Sequence, residues 1–103
     1  MRLEDLYAII TKRKKELPKG SYVASLYRQG EDVILQKIGE EATEVILAAK
    51  GNNNQRIIEE IADLYFMTLV LMISRNISLE GIYRELGKRR KQKDPEINSG
   101  NSG

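Results

Sequence analysis

Apolar residues recur along this chain at intervals of three and four, and the pattern breaks at glycine, proline and asparagine, which predicts helices joined by short turns. Leu3, Leu6, Tyr7 and Ile10 share one face of a first helix from about Leu3 to Glu16, ended by Pro18 and Gly20. The segment SYVASLYRQG opens on Ser21, a suitable N-cap, and closes on Gly30, so it reads as a short helix or an ordered loop. A second long helix spans roughly Glu31 to Lys50, with Ile34, Ile38, Ala42, Val45 and Ala49 as its core stripe, and stops at Gly51. Asn52, Asn53 and Asn54 make a turn short enough to pack the next helix antiparallel to it. That helix extends to about Arg75 and ends at Asn76; Ser78 caps a last one running to about Gln92, before Asp94 and Pro95. No strand signal or internal repeat appears, so the fold class is all-α, a bundle of four to five helices. Residues 1–93 form one domain, and the Gly/Ser-rich stretch at 94–103 is a disordered tail.

The stretch from Ile61 to Ile73, IADLYFMTLVLMI, is apolar all round the helix, and a helix of that kind is buried. One chain of 103 residues covers such a helix poorly. A symmetric dimer burying a self-complementary patch covers it more readily, so a homodimer or higher homo-oligomer is expected.

Against this apolar background two acidic pairs stand out, Glu41-Ala-Thr-Glu44 and Glu60-Ile-Ala-Asp63. Residues three apart lie on one helix face. Glu44 lies seven residues before Gly51 and Glu60 seven after Asn53, so at about 1.5 Å per residue the pairs stand at similar height on antiparallel helices. Taken singly, such a pair belongs on a solvated surface, since charged residues make up 31% of the chain. Asp63 breaks that reading, because its surroundings are apolar and a buried Asp is rare without a partner or a metal. Four converging carboxylates require compensation by cations or hydrogen-bond donors. The chain has no His and no Cys, so an all-oxygen set points to Mg²⁺, with Mn²⁺ as the alternative, and through Mg²⁺ to phosphate chemistry. Lys37 falls beside Glu44 on the same helix and adds one cation to the acidic face.

Seventeen basic and fifteen acidic residues give a net charge of +2, which announces neither a nucleic-acid nor a membrane partner. The basic residues cluster in Lys12–Lys15 and Lys88–Lys93. Both runs sit at predicted helix C-termini, where cations suit the macrodipole, and neither has the interleaved aromatics of a single-strand binder. An anionic ligand is the functional alternative for them. The charged start MRLEDLY has no apolar signal-peptide core. A cytoplasmic protein is expected.

The string Ile34-Leu35-Gln36-Lys37-Ile38-Gly39-Glu40-Glu41-Ala42-Thr43-Glu44, then Ala48-Ala49-Lys50-Gly51 and Glu59-Glu60-Ile61-Ala62-Asp63-Leu64, resembles the phosphoribosyl-ATP pyrophosphatase family. Gly20-Ser21-Tyr22-Val23-Ala24-Ser25-Leu26 and Ser78-Leu79 fit as well, so the resemblance covers about Leu3 to Lys91. The paired acidic motifs alone are shared across the MazG-like all-α nucleotide pyrophosphohydrolases; the fuller strings are more specific. The resemblance implies a MazG-like bundle and Mg²⁺-dependent hydrolysis of phosphoribosyl-ATP to phosphoribosyl-AMP and pyrophosphate, the second step of histidine biosynthesis. It implies Glu41, Glu44, Glu60 and Asp63 as metal ligands and Glu40 as a support for those ligands or a base; a carboxylate not fully engaged by metal, Glu40 or Glu44, is expected to accept the proton of the attacking water. Lys37 and Lys50 are implied as phosphate contacts, and Ser21 and Tyr22 as residues shaping the substrate end, their other reading being cap and core aromatic. Relatives of this pattern often carry Tyr-His where this chain has Phe66-Met67, so any role of that histidine is vacant here. Fused relatives carry a cyclohydrolase for the next step, for which this chain has no room. Two other functions fit parts of the pattern: a MazG-like house-cleaning hydrolase of nucleoside triphosphates, and a non-catalytic helical dimerisation or RNA-binding module working through the basic runs.

Overall fold

A computed structural model describes residues 1–93, with side chains to residue 89; the tail at 94–103 and the Asp94-Pro95 stop lie outside the described residues. Five helices follow one another: α1 Leu3–Glu16, α2 Tyr22–Gln29, α3 Glu31–Lys50, α4 Asn54–Ser74 and α5 Leu79–Lys93. Among the described residues there is no strand, and no helix is long and apolar enough to cross a membrane. The segment after Gly20 is the short helix of the two readings. Ser21 accepts the N–H of Ala24 at 3.1 Å, which satisfies a donor left free in the first turn of α2.

The turns are set by side chains that tolerate or require particular backbone angles. Leu17 closes α1 in the left-handed region at φ 48°, its N–H reaching the Arg13 carbonyl at 2.8 Å. Gly30, at φ 102°, is the single residue between α2 and α3, and a Cβ there would strain the backbone. Asn52 and Asn76 adopt φ 57° after α3 and α4, a region that asparagine enters more readily than most residues. Asn53 then caps α4, its side chain accepting the Arg56 N–H at 3.1 Å.

α3 and α4 pack antiparallel and make the most extensive helix pair in the molecule. At the far end from their turn, Arg75 Nε donates to Glu31 Oε1 at 2.7 Å, joining the end of α4 to the start of α3. The core sits at that end. Ile10, Leu26, Ile34 and Val70 are fully buried, with Met67, Leu69, Met72 and Ile73 around them and Leu3, Leu6 and Tyr7 at the rim. Each such side chain contributes about 1.5–3 kcal/mol by leaving water. Tyr27 donates its hydroxyl to the Val70 carbonyl at 2.8 Å; burial first, and the neighbouring Tyr7 hydroxyl second, push its pKa up to about 12.

Two expectations need correction here. Ala48, not Ala49, is the buried alanine near the end of α3. Ala48 is seven residues after Glu41 and shares the face turned to α4, whereas Ala49 lies on the open side with Ile46. The burial expected all round α4 holds only from Leu69 to Ile73, where α1 and α2 cover it, and Thr68 just before them is exposed. Nearer the turn only α3 does so, and Ile58, Ala62, Asp63 and Tyr65 are exposed.

Candidate active site

The α3–α4 hairpin runs past the core toward its turn, and there the two acidic motifs meet. Carboxylate oxygens of Glu41, Glu60 and Asp63 all lie within 4.8 Å of one another. The convergence follows from the register that Gly51, Asn52 and the Asn53 cap impose, which sets Glu41 of α3 opposite the second turn of α4.

The buried carboxylate of the set is Glu60, 9% exposed; Asp63, expected in the interior, is exposed. The reason is local. Asp63 stands about 60° round α4 from Glu60, just beyond the strip that α3 covers. Glu60 is compensated by Arg56 one turn earlier, at 3.3 Å, and the same guanidinium lies 3.8 Å from Glu44. Arg56 therefore takes the place by Glu44 that was expected of Lys37. Lys37 is seven residues from Glu44 along α3, about 10 Å of rise, while Arg56 comes across from the facing helix. The sequence carried one sign of Arg56, its spacing of four from Glu60, at which opposite charges pair on a helix.

Glu41 shows the strain of the arrangement. Its pKa is raised, first by burial, then by the charge of Asp63, by a shared hydrogen bond with Glu60, and by the charges of Glu60 and Glu44. Protonation or a bound cation relieves this repulsion. The donor set fits a hard divalent cation: three carboxylates on two helices, oxygen ligands only, and no nitrogen or sulfur ligand from His or Cys anywhere in the chain.

The remaining residues expected at the site fall around this centre. Glu44, one turn after Glu41, borders the three-carboxylate set without joining it and leans toward Arg56. Glu40 is exposed and accepts Gln36 Nε2 at 3.1 Å, facing about 100° away from Glu41. Lys37 is half-buried two turns before Glu44, and Lys50 is exposed in the last turn of α3. Ser21 serves as the α2 cap. Tyr22 is not a core aromatic: it is 56% exposed and lies against Phe66, ring centroids 6.1 Å apart and planes 21° from parallel. Met67, the other residue of the Phe66-Met67 departure, is buried in the core. Two concave surfaces lie elsewhere, between α4, α5 and the start of α1, lined by Leu3, Tyr65, Tyr83 and Leu86 among others. Tyr65 points about 160° away from Asp63 round α4, so these grooves are separate from the carboxylates.

Comparison with known proteins identifies relatives over nearly the whole described chain. The family model described as phosphoribosyl-ATP pyrophosphohydrolase matches residues 3–90. The phosphoribosyl-ATP pyrophosphatase of Leptospira biflexa is 56% identical over 89 residues, covering 86% of this chain and 94% of that protein. Those of Listeria welshimeri and Geobacter sulfurreducens are each 49% identical over 87 residues, covering 84% of this chain and 84% and 81% of theirs. With α1, the α3–α4 hairpin and both acidic motifs all inside the matched span, the chain belongs to the phosphoribosyl-ATP pyrophosphohydrolase family.

Proposed function

We propose that this protein hydrolyses phosphoribosyl-ATP to phosphoribosyl-AMP and pyrophosphate, the second step of histidine biosynthesis, in the cytoplasm and with Mg²⁺ at the carboxylate cluster. The observation that carries the reading is the convergence of Glu41, Glu60 and Asp63 from two helices, in a chain matched by the family from residue 3 to residue 90. Glu41, Glu60 and Asp63 would hold the cation, with Glu44 at its edge; Mn²⁺ suits the same ligands. When bound, the divalent ion supplies positive charge for the phosphate oxygens and lowers the pKa of the attacking water. Water attacks the α–β phosphoanhydride, its proton passes to a carboxylate, and the bridging bond breaks. Glu44 suits the acceptor role better than Glu40, because it borders the cluster whereas Glu40 is held by Gln36 on another face. Lys37 and Lys50 are point charges for outer phosphate oxygens. Arg56, already beside Glu44 and Glu60, limits the repulsion within the acidic face.

The functional unit in this reading is a homodimer. Leu35 and Ile46 on α3, Ile58 and Tyr65 on α4, and Ile82 and Leu86 on α5 are exposed, apolar side chains that a second copy of the chain would cover. The radius of gyration, 16.0 Å, exceeds the roughly 13 Å of a compact domain of this size.

A substrate panel tests the function. Phosphoribosyl-ATP should release pyrophosphate rapidly in Mg²⁺, and excess EDTA should stop the reaction. Rapid release from a deoxynucleoside triphosphate with none from phosphoribosyl-ATP would assign the house-cleaning reaction instead. Full activity in EDTA would remove the metal from the mechanism.

A further inference from the structure

Along α4, Arg56 comes first, Glu60 and Asp63 follow one to two turns on, and Phe66 stands one turn beyond Asp63 on a neighbouring face. Tyr22, from the first turn of α2, lies nearly parallel to the Phe66 ring at 6.1 Å. Phe66 is half-buried and packs on the core, so its ring is a fixed support. The backbone that carries Tyr22 is fixed: Ser21 caps the helix at the Ala24 N–H, and Ser25 Oγ donates to the Tyr22 carbonyl at 2.6 Å. Phe66 flanks the tyrosine ring on one side, offset from it, while more than half of the residue is open to solvent. An aromatic residue left this exposed beside a second ring offers a π-face to a planar group, and on the helix that carries Phe66 the Asp63 carboxylate of the acidic cluster stands one turn earlier.

Building on the hydrolase reading above, we propose that Tyr22, backed by Phe66, is the platform on which the purine base of the substrate stacks while its triphosphate reaches the Glu41–Glu60–Asp63 cluster. The order of groups along α4 matches a nucleotide laid lengthwise: charged phosphates at the carboxylates, sugar between, base at the aromatic pair. Stacking uses the ring face and not the hydroxyl, so phenylalanine serves in place of Tyr22 and alanine does not.

The test separates base from phosphate. Tyr22→Ala should raise KM for phosphoribosyl-ATP about tenfold with a much smaller change in kcat, and should weaken inhibition by AMP to the same degree. Inhibition by inorganic tripolyphosphate, which has no base, should stay as in the wild type, and Tyr22→Phe should restore KM. Thermal melts establish that the variants are folded, which the exposure of Tyr22 favours. Equal weakening of AMP and tripolyphosphate, no change in either, or a Tyr22→Phe variant as impaired as Tyr22→Ala would each overturn the platform. If the wild type fails to hydrolyse phosphoribosyl-ATP, the reaction itself is misread; calorimetric binding of AMP and of tripolyphosphate to the same variants still decides whether Tyr22 holds a base.

Discussion

At the scale of single residues, the site is a place where stability has been given up. Glu41 has a folded-state pKa above its ordinary value of 4.5 because burial and three neighbouring carboxylates disfavour its charge. The sign follows directly. A raised carboxyl pKa means that the contribution of Glu41 to stability is fully present below pH 4.5 and is lost as the pH rises through the folded-state value. Near neutrality the ionised group is therefore a cost in the metal-free protein. Glu41→Gln should melt no lower than the wild type without Mg²⁺ at pH 7, and any gain over the wild type should narrow on acidification. Mg²⁺ at about 100 times its dissociation constant should stabilise the wild type by roughly 2.7 kcal/mol, and the variant much less. On the proposed role of Glu41 in holding the cation, its loss should also remove several kcal/mol of transition-state stabilisation, at least about a hundredfold in turnover. A Mg²⁺-dependent shift in melting temperature as large in Glu41→Gln as in the wild type would take Glu41 out of the metal site.

At the scale of elements, the α3–α4 turn is what makes two short motifs into one site. Gly51 continues the last turn of α3, its N–H bonding the Leu47 carbonyl at 3.0 Å, Asn52 reverses the chain in the left-handed region, and Asn53 starts α4. Removing the cap should loosen the first turn of α4, with Arg56 inside it, and leave Glu60 nearly two turns further in. Asn53→Ala is accordingly expected to cost about 1 kcal/mol of stability, seen as a lower melting temperature, while turnover well below the melt falls only modestly. A collapse of turnover at low temperature without loss of stability would show that Arg56 or the turn itself acts on substrate.

At the scale of the whole molecule, the exposed apolar stripes of α3, α4 and α5 argue for a second copy of the chain. Ile46 and Ile58 are 61% and 60% exposed, so changing both to Glu leaves the core intact and charges only the apolar surface proposed to meet a second copy. Sedimentation of the wild type at micromolar concentration should give twice the protomer mass, and the melting temperature should rise with concentration. The double variant should sediment as a monomer and melt lower. A monomeric wild type would refute the dimer.

How much of this was legible in the sequence differs by kind of feature. Limits of the four longer helices were readable almost to the residue, because caps, αL asparagines and glycines act within a few positions of themselves, as Gly30 and Ser78 show; the segment after Ser21 stayed open between a short helix and a loop, and Asn53 was legible as turn but not as cap. That the two acidic pairs face each other was readable too, since a short turn between two helices leaves only one relative height, although that height set Glu44 level with Glu60 and it is Glu41 that joins Glu60 and Asp63. Which carboxylate is buried was not. Asp63 sits in the most apolar stretch of the chain, yet Glu60 is the one in the interior, because burial depends on the angular width of the strip that α3 covers and on where α1 and α2 stop. The same applies to Arg56 in place of Lys37, and to Tyr22 meeting Phe66 from a helix more than forty positions away. Sequence by itself determined the elements and the chemistry they carry, which depend on local backbone energetics and residue type; only the tertiary structure decided which side chains face one another across helices, because that rests on packing between segments far apart in the chain.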